Sequence, residues 1–446
     1  MTVAPIAPIA VLRPHRAPLV ALLAAGAVSQ VGSALTLVAV PWFVLQTTGS
    51  AAQAGLTGAA AALPYLIAGV FGGVWADRVG FRRASVIGDV ASGLAVALIP
   101  LLHATVGLAM WQLLALVFAA TLCDVPGATA RRSLIPTLTA LARTPLERAN
   151  AFAEAIPRLG TLLGPPLAGL LIAVLGPTTV LYVDAATFAA SALAVALAVP
   201  KGAERRNLPG GHPEVASGKK GRTPPASPST SGRLWRELRE GFAFVWRDPL
   251  LRALTLTACV TNFFDAPFSL LLAVFVNGTT RRATDLGLLV ATFGAGALAA
   301  SLLFAAVGTR LPRRLPFVLW MGGFAVVNGI FALAPPLPVA FAALFVMGLS
   351  AGLVNPLTAT IRAERVPEAL RGRVFGLTAA VSMAIIPLGR ALGGYVAEVA
   401  GVRAVYAAIA AAYVVVLAVT LVLPAYRTLD RPRTALVATG EMSPTP

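Results

Sequence analysis

Twelve stretches of the chain are almost free of charge, and each is long enough to cross a membrane as a helix. They lie near 18–46, 52–76, 84–104, 109–130, 149–175, 179–200, 250–276, 285–307, 315–334, 338–361, 374–399 and 402–424. A hydrocarbon core of about 30 Å takes about 20 apolar residues to span. Their recurrence from end to end predicts an all-α integral membrane protein of twelve transmembrane helices. The pattern lapses between Pro200 and Trp235, where Gly, Pro, Ser and charged residues replace the apolar run. That composition predicts a disordered linker. Beyond it Trp235, Leu238, Phe242 and Val245 recur at spacings of three and four, with Arg233, Arg236, Glu237, Arg239 and Glu240 on the other face. Such a helix suits the membrane interface. Asp248 and Pro249 then cap and start the seventh span. The chain thus reads as a six-helix bundle (1–200), a linker with an interfacial helix (201–247), a second six-helix bundle (248–430) and a disordered tail (431–446).

Composition supports a bilayer as the solvent. Hydrophobic residues make up 57% and charged residues 12%, and a soluble domain would carry roughly twice that charged share. The net charge of +17 would suit a nucleic-acid binder, yet the position of the charges argues otherwise. With the N-terminus inside, thirty of the 35 Lys and Arg residues face the cytoplasm. Arg281, Arg282 and Arg403 lie outside, and Arg158 and Arg390 lie within spans. This positive-inside bias puts both termini in the cytoplasm and leaves no need for nucleic acid. The first span is too long for the apolar core of a signal peptide, and no soluble mature chain follows it. Cys123 and Cys259 sit in apolar spans, while His15, His103 and His212 are isolated, so no disulfide, metal site or cofactor is expected. Arg outnumbers Lys 32 to 3, which suggests a G+C-rich bacterial genome and hence a bacterial inner membrane. A monomer is expected.

The two halves carry similar marks in the same order. Arg131 precedes Pro136 in the loop expected after span four, as Arg362 precedes Pro367 after span ten. Arg148 and Phe152 match Arg371 and Phe375, and Gly-Pro-Pro-Leu-Ala-Gly at 164–169 in span five corresponds to Pro-Leu-Gly-Arg-Ala-Leu-Gly-Gly at 387–394 in span eleven. Duplicated halves with a site between them are the plan of alternating-access carriers.

Between spans two and three stand Gly73, Asp77, Arg78, Gly80, Arg82 and Arg83. This segment resembles the G-x-x-x-D-R-x-G-x-R-R loop of the major facilitator superfamily, which in that family latches the halves together on the cytoplasmic side. Gly73 would allow close helix approach, Asp77 would sit at a facing helix N-terminus and Gly80 would supply a tight turn. Arg78, Arg82 and Arg83 would anchor to acidic partners and lipid phosphates. The matching loop of the second half, from Gly308 through Arg310 to Arg313 and Arg314, lacks the acid. In span five Gly160, Gly164, Pro165 and Gly169 resemble the G-x-x-x-G-P-x-x-G-G element of proton-coupled exporters, with Ala168 in place of the first Gly of the final pair. Small residues and prolines there fit a pivot or a proton-tight seal. Ser29 to Ser33, Val40 to Phe43, Leu63-Pro64 and Asp184 to Phe188 are similar to the branch containing macrolide-efflux and siderophore-exporter-like proteins. Many drug exporters place an Arg in span four, whereas Val117 to Thr129 holds Asp124 instead.

Ionisable residues inside spans are functional candidates by default. Asp265 stands mid-way along span seven beside Asn262 and Pro267, as a substrate contact or proton carrier or else a buried structural hydrogen bond. Arg390 in span eleven has Glu398 two turns away and needs a partner from another helix or an anionic substrate. Asp124, near the cytoplasmic end of span four, and Asp184, near the outer end of span six, read as structural or gate residues. Asp89 is placed to pair with the loop arginines, and Glu154 with Arg158 four residues on. Gln30 and Ser33 share a face that either lines a cavity or glues helices.

These features favour a secondary transporter that exports a hydrophobic or amphipathic small molecule in exchange for protons. The alternative is an importer or facilitator of a polar metabolite, for which the spans offer few Asn, Gln and Trp. An enzyme would need a catalytic cluster such as H-E-x-x-H or G-x-S-x-G, and neither occurs.

Overall fold

The computed structural model describes residues 16–200, 230–307, 312–427 and 429. The expected linker up to residue 229, the tail from 431, and Gly308 to Leu311 of the second-half loop lie outside the described residues. The first six helices are α1 (Ala17–Thr48), α2 (Ala51–Val79), α3 (Phe81–Thr105), α4 (Met110–Ala142), α5 (Leu146–Leu175) and α6 (Pro177–Ala198). Next come α7 (Thr230–Arg247), α8 (Pro249–Asp265), α9 (Phe268–Thr279) and α10 (Ala283–Val307). The chain closes with α11 (Arg314–Ala332), α12 (Leu337–Arg365), α13 (Glu368–Ala384), α14 (Ile386–Val399), α15 (Val402–Val422) and α16 (Pro424–Arg427). Twelve segments of the described residues are long and apolar enough to cross a membrane, with α8–α9 and α13–α14 each counted as one.

Two of those spans break where proline removes a backbone donor. Span seven breaks at Pro267, which leads into α9, and span eleven breaks at Ile385, ahead of Pro387 in α14. The helix α5, by contrast, runs unbroken through Pro157, Pro165 and Pro166. Tight turns with glycine at positive φ, Gly176 (81°) alone and Gly401 (84°) after Ala400, join spans five to six and eleven to twelve, equivalent places in the two halves. At the seventh span the carboxylate of Asp248 accepts from the N–H groups of Leu250 (2.9 Å) and Leu251 (3.1 Å), with Pro249 following, as its sequence indicates.

One expectation fails at α4. The apolar run ends near residue 130, but the helix continues to Ala142, so Arg131 and Pro136 are helical while Pro367 lies just before α13. Hydropathy marks the extent of the apolar run, and a helix can outlast it. The Arg148–Phe152 and Arg371–Phe375 match survives, since both pairs open a helix, α5 and α13.

Within the first bundle α1 packs on α5 and α6, and α4 on α2 and α3; in the second, α12 packs on α10 and α11, and α15 on α11. Helix α7 lies against α8 and α13, with Val245 buried beside Leu251, Val366 and Val374, while Phe242 and Trp246 stack on its exposed side. Its Glu240 pairs with Arg373 at 2.7 Å.

The α2–α3 turn, with Arg78, Arg82 and Arg83, marks one end of the molecule, here called the basic end. At the opposite end one apolar core runs through both bundles, joining Leu35, Trp42 and Leu181 to Leu271, Phe275 and Tyr406. At the basic end each bundle has its own core, around Leu134 and Leu138 in the first and around Phe317 and Ile361 in the second. The bundles meet through α2 on α14 and α5 on α10. The bundles thus share an apolar core at one end, called the closed end, and none among the described residues at the basic end.

Candidate functional site

Two cavities lie on either side of the break in span seven. The first, of about 190 Å³, sits between the bundles just beneath the closed end. Asp124 (α4), Asp184 (α6) and Arg390 (α14) all line it, with Tyr65, Ser33 and Thr36. The three ionisable candidates, distant in sequence, are thus brought together. Asp184 is buried and accepts from the hydroxyls of Thr36 and Thr187. Arg390 Nη1 donates to the carbonyl of Gly58 in α2 at 2.9 Å, and its buried Nε has no hydrogen-bond partner. Its partner is therefore backbone from the other bundle, leaving guanidinium capacity toward the cavity.

Behind the cavity wall lies an arginine that the apolar run hid. Arg131 is buried in α4, and its Nη1 lies 2.5 Å from Asp89 while its Nη2 lies 3.8 Å from Asp124. Asp89 also accepts from Ser191 at 2.7 Å. The expectation that Asp89 serves the loop arginines is corrected: it serves Arg131. Asp124 is mid-helix rather than near a helix end, because α4 extends beyond the apolar run.

The second cavity, of about 480 Å³, lies within the second bundle and is lined by Asp265, Asn262, Asn355 and Arg362 among Phe268, Phe293, Phe317, Trp320 and Phe324. Asp265 ends α8 at the break, and both its oxygens face the hydroxyl of Tyr413, at 2.8 and 2.7 Å. Asn262 donates to the carbonyl of Ser382 at 2.8 Å instead of serving Asp265. Ala266 and Ser269 face the first cavity, so the broken helix is a wall common to both.

Other expected residues fall elsewhere. Gln30 packs against Gly160 and lines a small third pocket with Arg131 and Arg132, apart from Ser33. Glu154 lies 4.0 Å from Arg132 of α4, and its expected pair with Arg158 does not form. In the α2–α3 motif Gly80 makes the turn with φ 94°, but a Cβ on Gly73 would meet nothing within 4 Å. The close approach is made by Gly72, against Pro126. Arg82 donates to the carbonyls of Val199 (2.8 Å) and Ala196 at the end of α6. Asp77, Arg78 and Arg83 are exposed, in keeping with bundles parted at this end. In the second half Arg314 donates to Leu421 O at 2.6 Å near the end of α15, the counterpart of Arg82 on α6, and Arg313 grips Glu364 through two bonds.

The span-five element is a helix junction. Gly160 and Gly164 seat α1 at Gln30 and Ala34, and Gly169 meets Ala283 and Gly287 of α10, across the bundle interface. Tyr413 was missed because a lone tyrosine in an apolar span carries no signal of its own. Arg131 was missed because it lies just past the apolar run.

Residues 22–281 and 268–445 match the family model described as Major Facilitator Superfamily. The multidrug efflux pump Tap of Mycolicibacterium fortuitum is 31% identical over 418 residues, covering 93% of this chain and 98% of that protein. Macrolide efflux protein A of Streptococcus pyogenes is 22% identical over 390 residues, covering 84% and 88%. Among solved structures the nucleoside transporter NupG has a TM-score of 0.70 at 11% identity, over 93% of this chain and 99% of that one, a likeness of fold.

Proposed function

Because the chain belongs to the Major Facilitator Superfamily, we propose that it is a proton-coupled exporter of a hydrophobic or amphipathic small molecule that works by alternating access. It is a multi-pass membrane transporter, not an enzyme. The observation that carries the reading is the grouping of Asp124, Asp184 and Arg390 in a cavity between two bundles that part only at the basic end. By the positive-inside bias that end faces the cytoplasm of a bacterium, from which cargo would load. A carboxylate within an apolar span is the usual carrier of an exchanged proton, and Asp124, Asp184 and Asp265 are the candidates. The aromatic walls of the second cavity suit cargo with ring or chain surface to bury, as a drug or secondary metabolite has. The efflux activities named for the relatives favour outward transport. The polar-metabolite importer is the weaker reading, since few amide side chains face either cavity. The protein is expected to act as a monomer in the inner membrane.

Flux of candidate compounds in proteoliposomes under an imposed pH gradient tests the proposal. Gradient-driven movement is expected, and its absence for every compound that binds would overturn the exchange mechanism. Asp265→Asn with full coupling would remove that residue from the proton's path.

A further inference from the structure

Among the contacts that join the bundles at the closed end is a seam between α2 and α14. Helices α2 and α14 run antiparallel, and residues 390, 394 and 398 of α14, one turn apart, lie along residues 58, 55 and 50–52 of α2. The inner rung is Arg390 on the carbonyl of Gly58, at the wall of the first cavity. In the middle rung a Cβ on Gly394 would lie 2.7 Å from Ala51 O and 2.8 Å from the Gly55 Cα, so only glycine lets the backbones this close. The outer rung is Glu398, whose carboxylate accepts from the Ser50 hydroxyl at 2.5 Å and the Ala52 N–H at 2.8 Å.

The outer rung is the informative one. Glu398 sits in the last turn of α14, where an acid opposes the negative end of its own helix dipole. Its charge is favourable only with respect to α2, whose N-terminus presents free N–H groups and a positive dipole end. Ser50 already caps α2 through Gln53 N–H, so Glu398 takes up a second free donor from across the bundle interface. Beside it Gln46 of α1 donates to Asn277 of α9 at 3.0 Å, also between bundles.

We propose that Glu398 is the outer-gate residue of this transporter: it caps α2 from the other bundle, holds the outer end shut while the inner end is open, and lets go when the bundles rock. The inference rests on the alternating-access reading. Arg390, as the inner rung, ties the gate to the cavity, because drawing its guanidinium toward Asp124 takes a rung from the seam.

The test is access from outside. Thr57 is buried on α2 and lines the first cavity beneath the seam. With Cys123 and Cys259 replaced by serine, a Thr57→Cys reporter is labelled by an impermeant maleimide added to intact cells. Glu398→Ala should raise the labelling rate about fivefold. Ser50→Ala should raise it less, and Glu398→Asp should restore much of the protection. A Val180→Cys reporter, buried near the outer end of α6, should stay unlabelled in every variant. Unchanged labelling at Thr57→Cys in Glu398→Ala would overturn the proposal, as would an equal rise at Val180→Cys, which reports a general loosening of the outer end. No cargo or gradient is needed, so a failure of the flux experiment alone leaves the gate result standing.

Discussion

The two cavities differ in what their walls can do. The first holds two carboxylates and a guanidinium among hydroxyls, backed by the buried Arg131–Asp89 pair, and both bundles contribute to it. The second lies within one bundle, is more than twice as large, and sets Asp265, Arg362 and two asparagines among aromatic rings. On the proposed mechanism, a charged chamber between the bundles suits coupling, because each rocking step would change what the charges face. An aromatic chamber inside one bundle suits holding cargo. The difference teaches that the two roles would need only one broken helix between them.

The largest expected effect lies behind the first cavity. Removing one partner of a buried ion pair typically costs about 3–5 kcal/mol, so Asp89→Asn should destabilise the protein by at least about 3 kcal/mol in a detergent melting series. Asp124→Asn, 3.8 Å from the same guanidinium, should leave the melting far less changed. Equal losses from both would merge the structural pair with the coupling site.

The division of labour itself is tested by a crossed pair. Trp320→Ala removes an aromatic wall packed on Phe317, Phe324 and Tyr413. It should weaken cargo binding about tenfold, the scale of a lost aromatic contact together with its buried area, while flux stays dependent on the pH gradient. Asp124→Asn should do the reverse, removing gradient dependence and leaving binding within about twofold, under 0.5 kcal/mol. Exchanged phenotypes, read by equilibrium binding and by flux, would exchange the roles of the cavities. The smallest effect is expected at the rim. Glu154 and Arg132 are both more than half exposed and 4.0 Å apart, so Glu154→Gln should change stability by less than about 0.5 kcal/mol and transport not measurably.

Much of the fold was legible because a bilayer imposes one rule on every span: apolar length. That rule found all twelve spans, while side-chain periodicity marked the helix after the linker and the Asp248-Pro249 pair marked the start of span seven. It erred where its premise lapsed, in α4, whose last turns are helical but carry Arg131 and Arg132. Of the site, Asp124, Asp184, Asp265 and Arg390 were visible because a charge in an apolar run is costly and needs a reason. Their sorting into two cavities was not, since it depends on how α4, α6, α8 and α14 pack against one another. Arg131 looked like one more basic residue at a span end, and its burial against Asp89 depends on contacts with another helix. Glu398 was noted only as too far from Arg390 on their own helix, because its partner lies on α2.

The distribution of the apolar cores has a consequence for how this sequence can change over generations. Around the closed end a single core draws side chains from both bundles, so a larger residue accepted where α1 meets α9 must be answered by a smaller one across that contact. At the basic end the cores around Leu138 and Ile361 do not touch. Drift there can proceed in either half without reply from the other. The descendants of a duplicated ancestor would therefore stay matched at the sealed end and grow apart at the open one.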